Sequence, residues 1–245
     1  MYECHQVQAH IVDQLKFVST IPATDPTSEI HRQSTLQLEG EVQQWYQSFC
    51  DLVKTQRDYI HSLTGWLRLS LFQFNHNSLS KTTQDSSIYS FCEEWQQALD
   101  RIPDKVASEG IKSFLTAIHA IVVQQSDEQK QKKKSESAFK ELEKKLVDLR
   151  SLECKHNPTV ELRDPVAEKK VKVAILRVKA EEEKTKHEKL VSVTRAMTVN
   201  NLQMGFPNMF QALTGFSSVC TKTFETLNNQ SKSMNQRHEL KMLLP

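Results

Sequence analysis

Apolar residues return at intervals of three and four through almost the whole chain, the spacing that puts them on one face of an α-helix. The pattern predicts a first helix over about 2–18, with Cys4, Ile11, Leu15 and Val18 on one side. The best-patterned segment follows, with Val42, Trp45, Tyr46, Phe49, Leu52, Val53, Ile60, Leu63, Trp66 and Leu67 in register while Glu41, Gln44, Lys54 and Asp58 lie off the stripe. All three tryptophans, Trp45, Trp66 and Trp95, fall on such stripes and read as core. Leu67, Leu69 and Leu71 alternate as in a strand, but they continue a helix with no break and no neighbouring strand candidate.

A polar stretch, 75–87, reads as a loop ending in N-caps before Ile88, Phe91, Cys92, Trp95 and Leu99. Pro103 sits where a helix can begin, and Val106, Ile111, Phe114, Leu115, Ile118, Ile121 and Val122 form its buried side. From Ser126 the composition turns to Lys, Gln and Glu. Phe139, Leu142, Leu146 and Leu149 then make a narrow seam suited to a coiled-coil-like arm. Pro158 and Pro165 interrupt it, Asp164 and Pro165 read as cap and first helical residue, and a returning helix over 165–204 predicts an antiparallel hairpin. Gly205-Phe206-Pro207 reads as a break, and Met209 to Leu227 as a last helix. The expected architecture is all-α: an elongated antiparallel helical bundle forming one domain over 1–228, with the arm at 126–204 and a mobile tail at 229–245.

Composition narrows the chemistry. Five glycines in 245 residues leave little of the backbone that phosphate loops and nucleophile elbows need. No dinucleotide fingerprint, Walker-type loop or G-x-S-x-G occurs, and the carboxylate clusters Glu93-Glu94 and Glu181-Glu182-Glu183 sit beside opposite charges at helical spacing. The nine histidines and five cysteines lack metal-ligand or C-x-x-C spacing. The reading is therefore a non-enzyme with no cofactor and no metal.

Charge is uneven. Residues 1–125 hold fourteen Asp/Glu against nine Lys/Arg, whereas 126–195 hold nineteen Lys/Arg against fourteen Asp/Glu. Lys130, Lys132, Lys133 and Lys134 form the densest basic run, read as a solvated face, a nuclear-import element or a polyanion contact. A basic-zipper reading fails because the leucine heptads stop at Leu149 and Pro158 follows. No run approaches the roughly 18 consecutive apolar residues of a membrane span, and residues 1–5 have neither the form of a secretory signal nor a myristoylation site.

Several blocks in order, LQLEGEVQQW (36–45), QRDYI (56–60), LTGWL (63–67), FCEEW (91–95) on to Ile121, and Arg195 through Gly205-Phe206-Pro207 to Phe224, together with MYECH (1–5), resemble a plant family. That family carries paired domains of unknown function 630 and 632 and includes the nitrate regulatory gene-type proteins. The resemblance covers about 1–227 of this chain, corresponds to most of the second, carboxy-terminal domain, and implies a chain truncated on its amino-terminal side. It implies a nuclear regulator of nitrate or nutrient signalling, associated with transcription factors, and supplies no catalytic residues. The expected partner surface is the seam Phe139, Leu142, Leu146 and Leu149, used by protein partners or for self-association. The alternatives are a peripheral bundle binding anionic lipid at the cytoplasmic face of the plasma membrane, and a DNA-associated regulator of basic-zipper-like type. Cytoplasm is the alternative location.

Overall fold

The computed structural model describes residues 1–17, 25–73, 83–154 and 165–243, and among these every regular element is helical. Helix α1 is Tyr2–Asp13, continued by a 3-10 turn at Gln14–Phe17; α2 is Glu29–Gln73, α3 Thr83–Asp100, α4 Asp104–Glu153 and α5 Pro165–Leu243. The all-α class follows from the sequence periodicity as expected.

Local chemistry sets the helix boundaries. Ser28 Oγ accepts the His31 N–H at 3.2 Å, capping α2. The α3–α4 boundary falls at Pro103, which donates no backbone hydrogen bond, and Arg57 staples it by donating to the Ile102 carbonyl at 3.1 Å and to Asp104 Oδ1 at 2.7 Å. α5 opens on Pro165, a favoured first helical residue.

Two compact units emerge. One comprises Met1–Val18, Gly40–Thr116 and Gln203–Pro245; the other comprises Ser19–Glu39 and Ala117–Leu202. Their limits fall inside α2, α4 and α5.

In the first unit α5 runs parallel to α2, because Trp45 meets Phe210 with ring centroids 6.0 Å apart and Phe49 meets Phe216 at 5.1 Å. α3 runs antiparallel to α2, with the Thr64 hydroxyl donating to the Cys92 carbonyl at 3.4 Å and His61 beside Asp100. α4 is antiparallel to α5, with Phe114 on Phe206 at 4.5 Å. The buried set Val42, Phe49, Ile60, Ile111, Phe114, Met209 and Leu213 fills the centre. The Gln203 side chain donates to the Leu15 carbonyl at 2.9 Å and ties the 3-10 turn to α5.

The second unit contains an antiparallel hairpin of α4 and α5. Asn201 donates to the Ala117 carbonyl at 3.1 Å, Gln131 to Glu183 at 2.6 Å, and Lys170 to Glu153 at 3.0 Å, which fixes the antiparallel direction along its length. The start of α2 packs there through Glu128. This buried glutamate accepts the Thr27 N–H at 2.7 Å and the Thr27 hydroxyl at 2.8 Å.

Three sequence expectations change. Gly205-Phe206-Pro207 does not break the chain: α5 passes through it and past Asn228 to Leu243. A proline inside a helix costs about 3 kcal/mol, but Met209, Leu213 and Phe216 bury beyond it, and each such side chain returns roughly 1.5–3 kcal/mol. In α1 the half-buried side chains are Tyr2, His5, Ala9, Val12 and Asp13, whereas Cys4 and Ile11 are exposed. Val18 lies outside the described residues, as does most of the 75–87 loop, and α3 already begins at Thr83.

Glycine positions give a direct test. A Cβ on Gly205 would stand 2.5 Å from the Phe114 ring, while one on Gly215 meets nothing within 4 Å. Overpacking costs about 1–3 kcal/mol and the alanine gains up to about 1 kcal/mol of helix propensity. Gly205→Ala should therefore lower the melting temperature, and Gly215→Ala in the same helix should raise it slightly. Thermal denaturation of the two variants beside the parent reads the difference.

Candidate interaction surface

The hairpin seam is built from α4 and α5 facing each other. Leu142 and Leu149 are buried in one cluster with Ala138, Val173 and Ala180, and Leu146, Val166 and Leu176 pack partly against it. Of the four expected docking residues only Phe139 faces outward, 38% exposed. The returning helix covers the seam more fully than the sequence suggested. Leu142 and Leu149 stand seven residues apart, so they stay on the facing line, whereas Phe139 sits one position beyond Ala138 and turns away.

Past Ala180 the same line on α5 becomes polar. Glu183 is held by Lys186 on its own helix and by Gln131 from α4, each at 2.6 Å, and Lys186 first and then Gln131 keep its carboxyl below the usual carboxylate range. The basic run is partly answered locally: Lys130 pairs with Asp127 at 2.9 Å, Arg32 holds the Glu29 carboxyl below the usual carboxylate range with Lys133 adding a smaller pull, and Lys134 adds a small pull on Glu183 beside that of Lys186. Lys132 is half-buried. The run thus does not stand as an open cationic strip of four.

No catalytic arrangement assembles among the described residues, and no group of three His, Cys, Asp or Glu there could hold a metal ion. A cleft of about 200 Å³ in the first unit is lined by Phe49, Cys50, Lys54, Arg57, Asp104 and Ser108. It is smaller than ordinary ligand pockets of roughly 300–1,000 Å³, and Arg57 and Asp104 spend their charges on each other.

The unexpected surface is on α2. Trp66, expected in the core, is 62% exposed, Tyr59 is 61% and Leu52 is 47%. With half-buried Trp45 these residues stand at intervals of seven. The buried line of α2 is instead Val42, Phe49, Val53, Ile60 and Thr64, where sevens are broken by fours. A straight helix drifts about 20° for every seven residues, so a strict seven-residue series rotates steadily. At about 100° per residue, Leu52 sits about 80° from the line through Val42 and Ile60, and Trp66 about 120°. Trp45 is still caught against Phe210, and each later member is turned further outward. Leu69, also exposed, borders the far end. The signal was present in the sequence as the difference between strict sevens and alternating sevens and fours.

Comparison with known proteins finds this chain similar to plant proteins. Residues 1–120 match the family model described as a protein of unknown function, DUF632. Over its full length the chain is 66% identical to the protein Altered Phosphate Starvation Response 1 of Arabidopsis thaliana, of which it spans 39%. It is 40% identical over 96% of its length to the protein Rolling and Erect Leaf 2 of Oryza sativa subsp. japonica, of which it spans 34%. No solved structure matches.

Two measurements separate surface from core. Leu142→Lys should destabilise the fold by about 3 kcal/mol or more, because it places a charge in the hairpin interior, whereas Trp66→Ala should stay within about 0.5 kcal/mol of the parent; chemical denaturation reads both. Thiol labelling gives an independent check. Cys4 and Cys154 are exposed, while burial pushes the thiols of Cys92 and Cys220 up. Cys4 and Cys154 should react first with an aromatic disulfide at mildly alkaline pH, as peptide mapping would resolve.

Proposed function

We propose that the chain is a non-enzymatic helical module that regulates a plant nutrient response through protein–protein contact. The observation that carries this reading is the row of exposed side chains Leu52, Tyr59 and Trp66 on a well-packed helix. Aromatic rings are favoured anchors of protein interfaces. Two relatives named for altered phosphate starvation response and for leaf form support a regulatory role in plants, and phosphate is the nutrient that the first name carries. The finer reading, drawn from the family resemblance, is nitrate signalling in the nucleus with transcription factors as partners. The seam residues Leu142 and Leu149 serve that role as the struts of the hairpin, with Phe139 as its outward-facing apolar member.

A lipid-binding reading has one observation in its favour. Val171, Ile175 and Val178 form an exposed apolar stripe on α5 beside Lys172 and Lys179. Glu168, Glu181 and Glu182 border the same face, whereas a membrane-binding helix segregates its lysines from acids. One stretch within Ser87–Glu153 is also long and apolar enough by composition to cross a bilayer, but its Ile111, Phe114, Ile118 and Ile121 are buried against neighbouring helices.

The test is capture from plant nuclear extract by the parent chain and by a Tyr59→Ser/Trp66→Ser variant of unchanged helicity. Loss of the captured proteins supports the reading, and equal capture by both removes the stripe from it. A fluorescent fusion carrying Lys130, Lys132, Lys133 and Lys134 as glutamine should lose nuclear accumulation if the run directs import. Pelleting with anionic vesicles at physiological salt, if undiminished in the Tyr59→Ser/Trp66→Ser variant, would favour the lipid reading instead.

A further inference from the structure

The border of the α2 stripe is as informative as the stripe itself. Between Gly40 and Gln73, helix α2 carries three cations, Lys54, Arg57 and Arg68. At about 100° per residue all three project more than 130° from Leu52, on the far side of the helix, and Arg57 is further committed to Asp104. Over its own length the face that holds Leu52, Tyr59 and Trp66 is bordered instead by Asp51, Thr55 and Ser62, and Glu41, Gln44 and Ser48 continue the margin towards the helix start, all exposed. Asp58 stands at its edge. The result is an apolar row in a margin that is acidic or uncharged, with no Lys or Arg of α2 inside it.

The spacing describes the shape of the occupant. From Leu52 to Leu69 the row runs seventeen residues, about 26 Å at the helical rise. Members seven apart match the repeat of a second helix laid alongside, in which every seventh residue returns to the contact line. The parallel register fixed by Trp45 on Phe210 and Phe49 on Phe216 brings 59 level with 224 on α5, where Phe224 is also exposed. A helix resting here would have apolar side chains on both sides of its contact line.

We propose that the Leu52–Tyr59–Trp66 row seats one amphipathic helix of a partner protein, whose apolar stripe is bordered by lysine or arginine. This rests on the reading of the row as a protein-binding face, and adds the chemistry of what binds. Opposite charges at the margin draw in the right helix and like charges exclude the wrong one, while the apolar row supplies the contact.

The probe is a pair of labelled synthetic helices, each about three heptad repeats long and so able to span the row, with the same leucine heptads, one bordered by lysines and one by glutamates. Each is titrated with the whole chain and followed by fluorescence anisotropy. The lysine-bordered helix should bind at least about tenfold more tightly than the other, with affinity falling as salt rises. Tyr59→Lys with Trp66→Lys should abolish that binding while helicity and melting stay at parent values, since both side chains are exposed. Equal binding of the two helices, or undiminished binding by the double variant, overturns the proposal. Concentration-dependent self-association that the double variant removes overturns it too, since the occupant is then a second copy. If capture from nuclear extract depends on Tyr59 and Trp66 but the two probes bind alike, the face is a protein-binding one and only the basic-helix assignment fails.

Discussion

The first unit depends on how closely α4 and α5 approach. A Cβ on Gly110 would lie 2.8 Å from the Ala212 Cβ, and one on Gly205 2.5 Å from the Phe114 ring. Two helices, each contributing one glycine to the other's surface, therefore pass within a distance that side chains elsewhere forbid. That approach seats Phe114 against Phe206, and Phe206 lies stacked near Phe210, which in turn meets Trp45 of α2. The aromatic chain from α4 through α5 to α2 thus starts at a glycine, and the position of α2 against α5 inherits its precision.

The same fact explains why Gly205-Phe206-Pro207 reads as a break in the sequence and is none in the fold. Glycine and proline punctuate helices when local preference decides, because one loosens the backbone and the other withholds a donor. Here burial decides: Pro207 is itself buried and its neighbours Met209 and Leu213 are core. The seven-residue row of α2 misleads for a different reason. Both it and the true core line satisfy a spacing of three and four when residues are grouped loosely, and only the slow rotation of strict sevens separates them. The helices themselves, Pro103 as a boundary, Pro165 as a start and the antiparallel arm were legible because each rests on a local rule. The Glu128–Thr27 pair was illegible, since its partners are separated by 101 residues and nothing in either neighbourhood marks them.

Burial of polar groups divides the two units. The first is filled mainly by aliphatic and aromatic side chains, with Thr64 and Ser217 as buried polar members. The second buries Thr27, Gln125, Glu128, Ser135 and Thr194 among far fewer large apolar residues. Glu128 is satisfied by two short hydrogen bonds from one residue, and Gln129 adds a bond from its side chain to the Thr27 carbonyl at 3.3 Å. Arg195 on α5 holds the Asp25 carbonyl at 3.0 Å through Nε. The segment that leads into α2 is therefore fastened by hydrogen bonds from two helices.

A hairpin made only of heptads has a weakness: sliding one helix by seven residues restores nearly the same apolar seam. The Gln131–Glu183 contact removes that degeneracy. Displaced by one repeat in either direction, Gln131 would face Leu176 or Leu190 in place of a carboxylate and a carbonyl. Glu183 would correspondingly face Gln124 or Ala138. One half-buried amide thus acts as the index mark of a vernier, giving a seam that is periodic in its leucines a single setting.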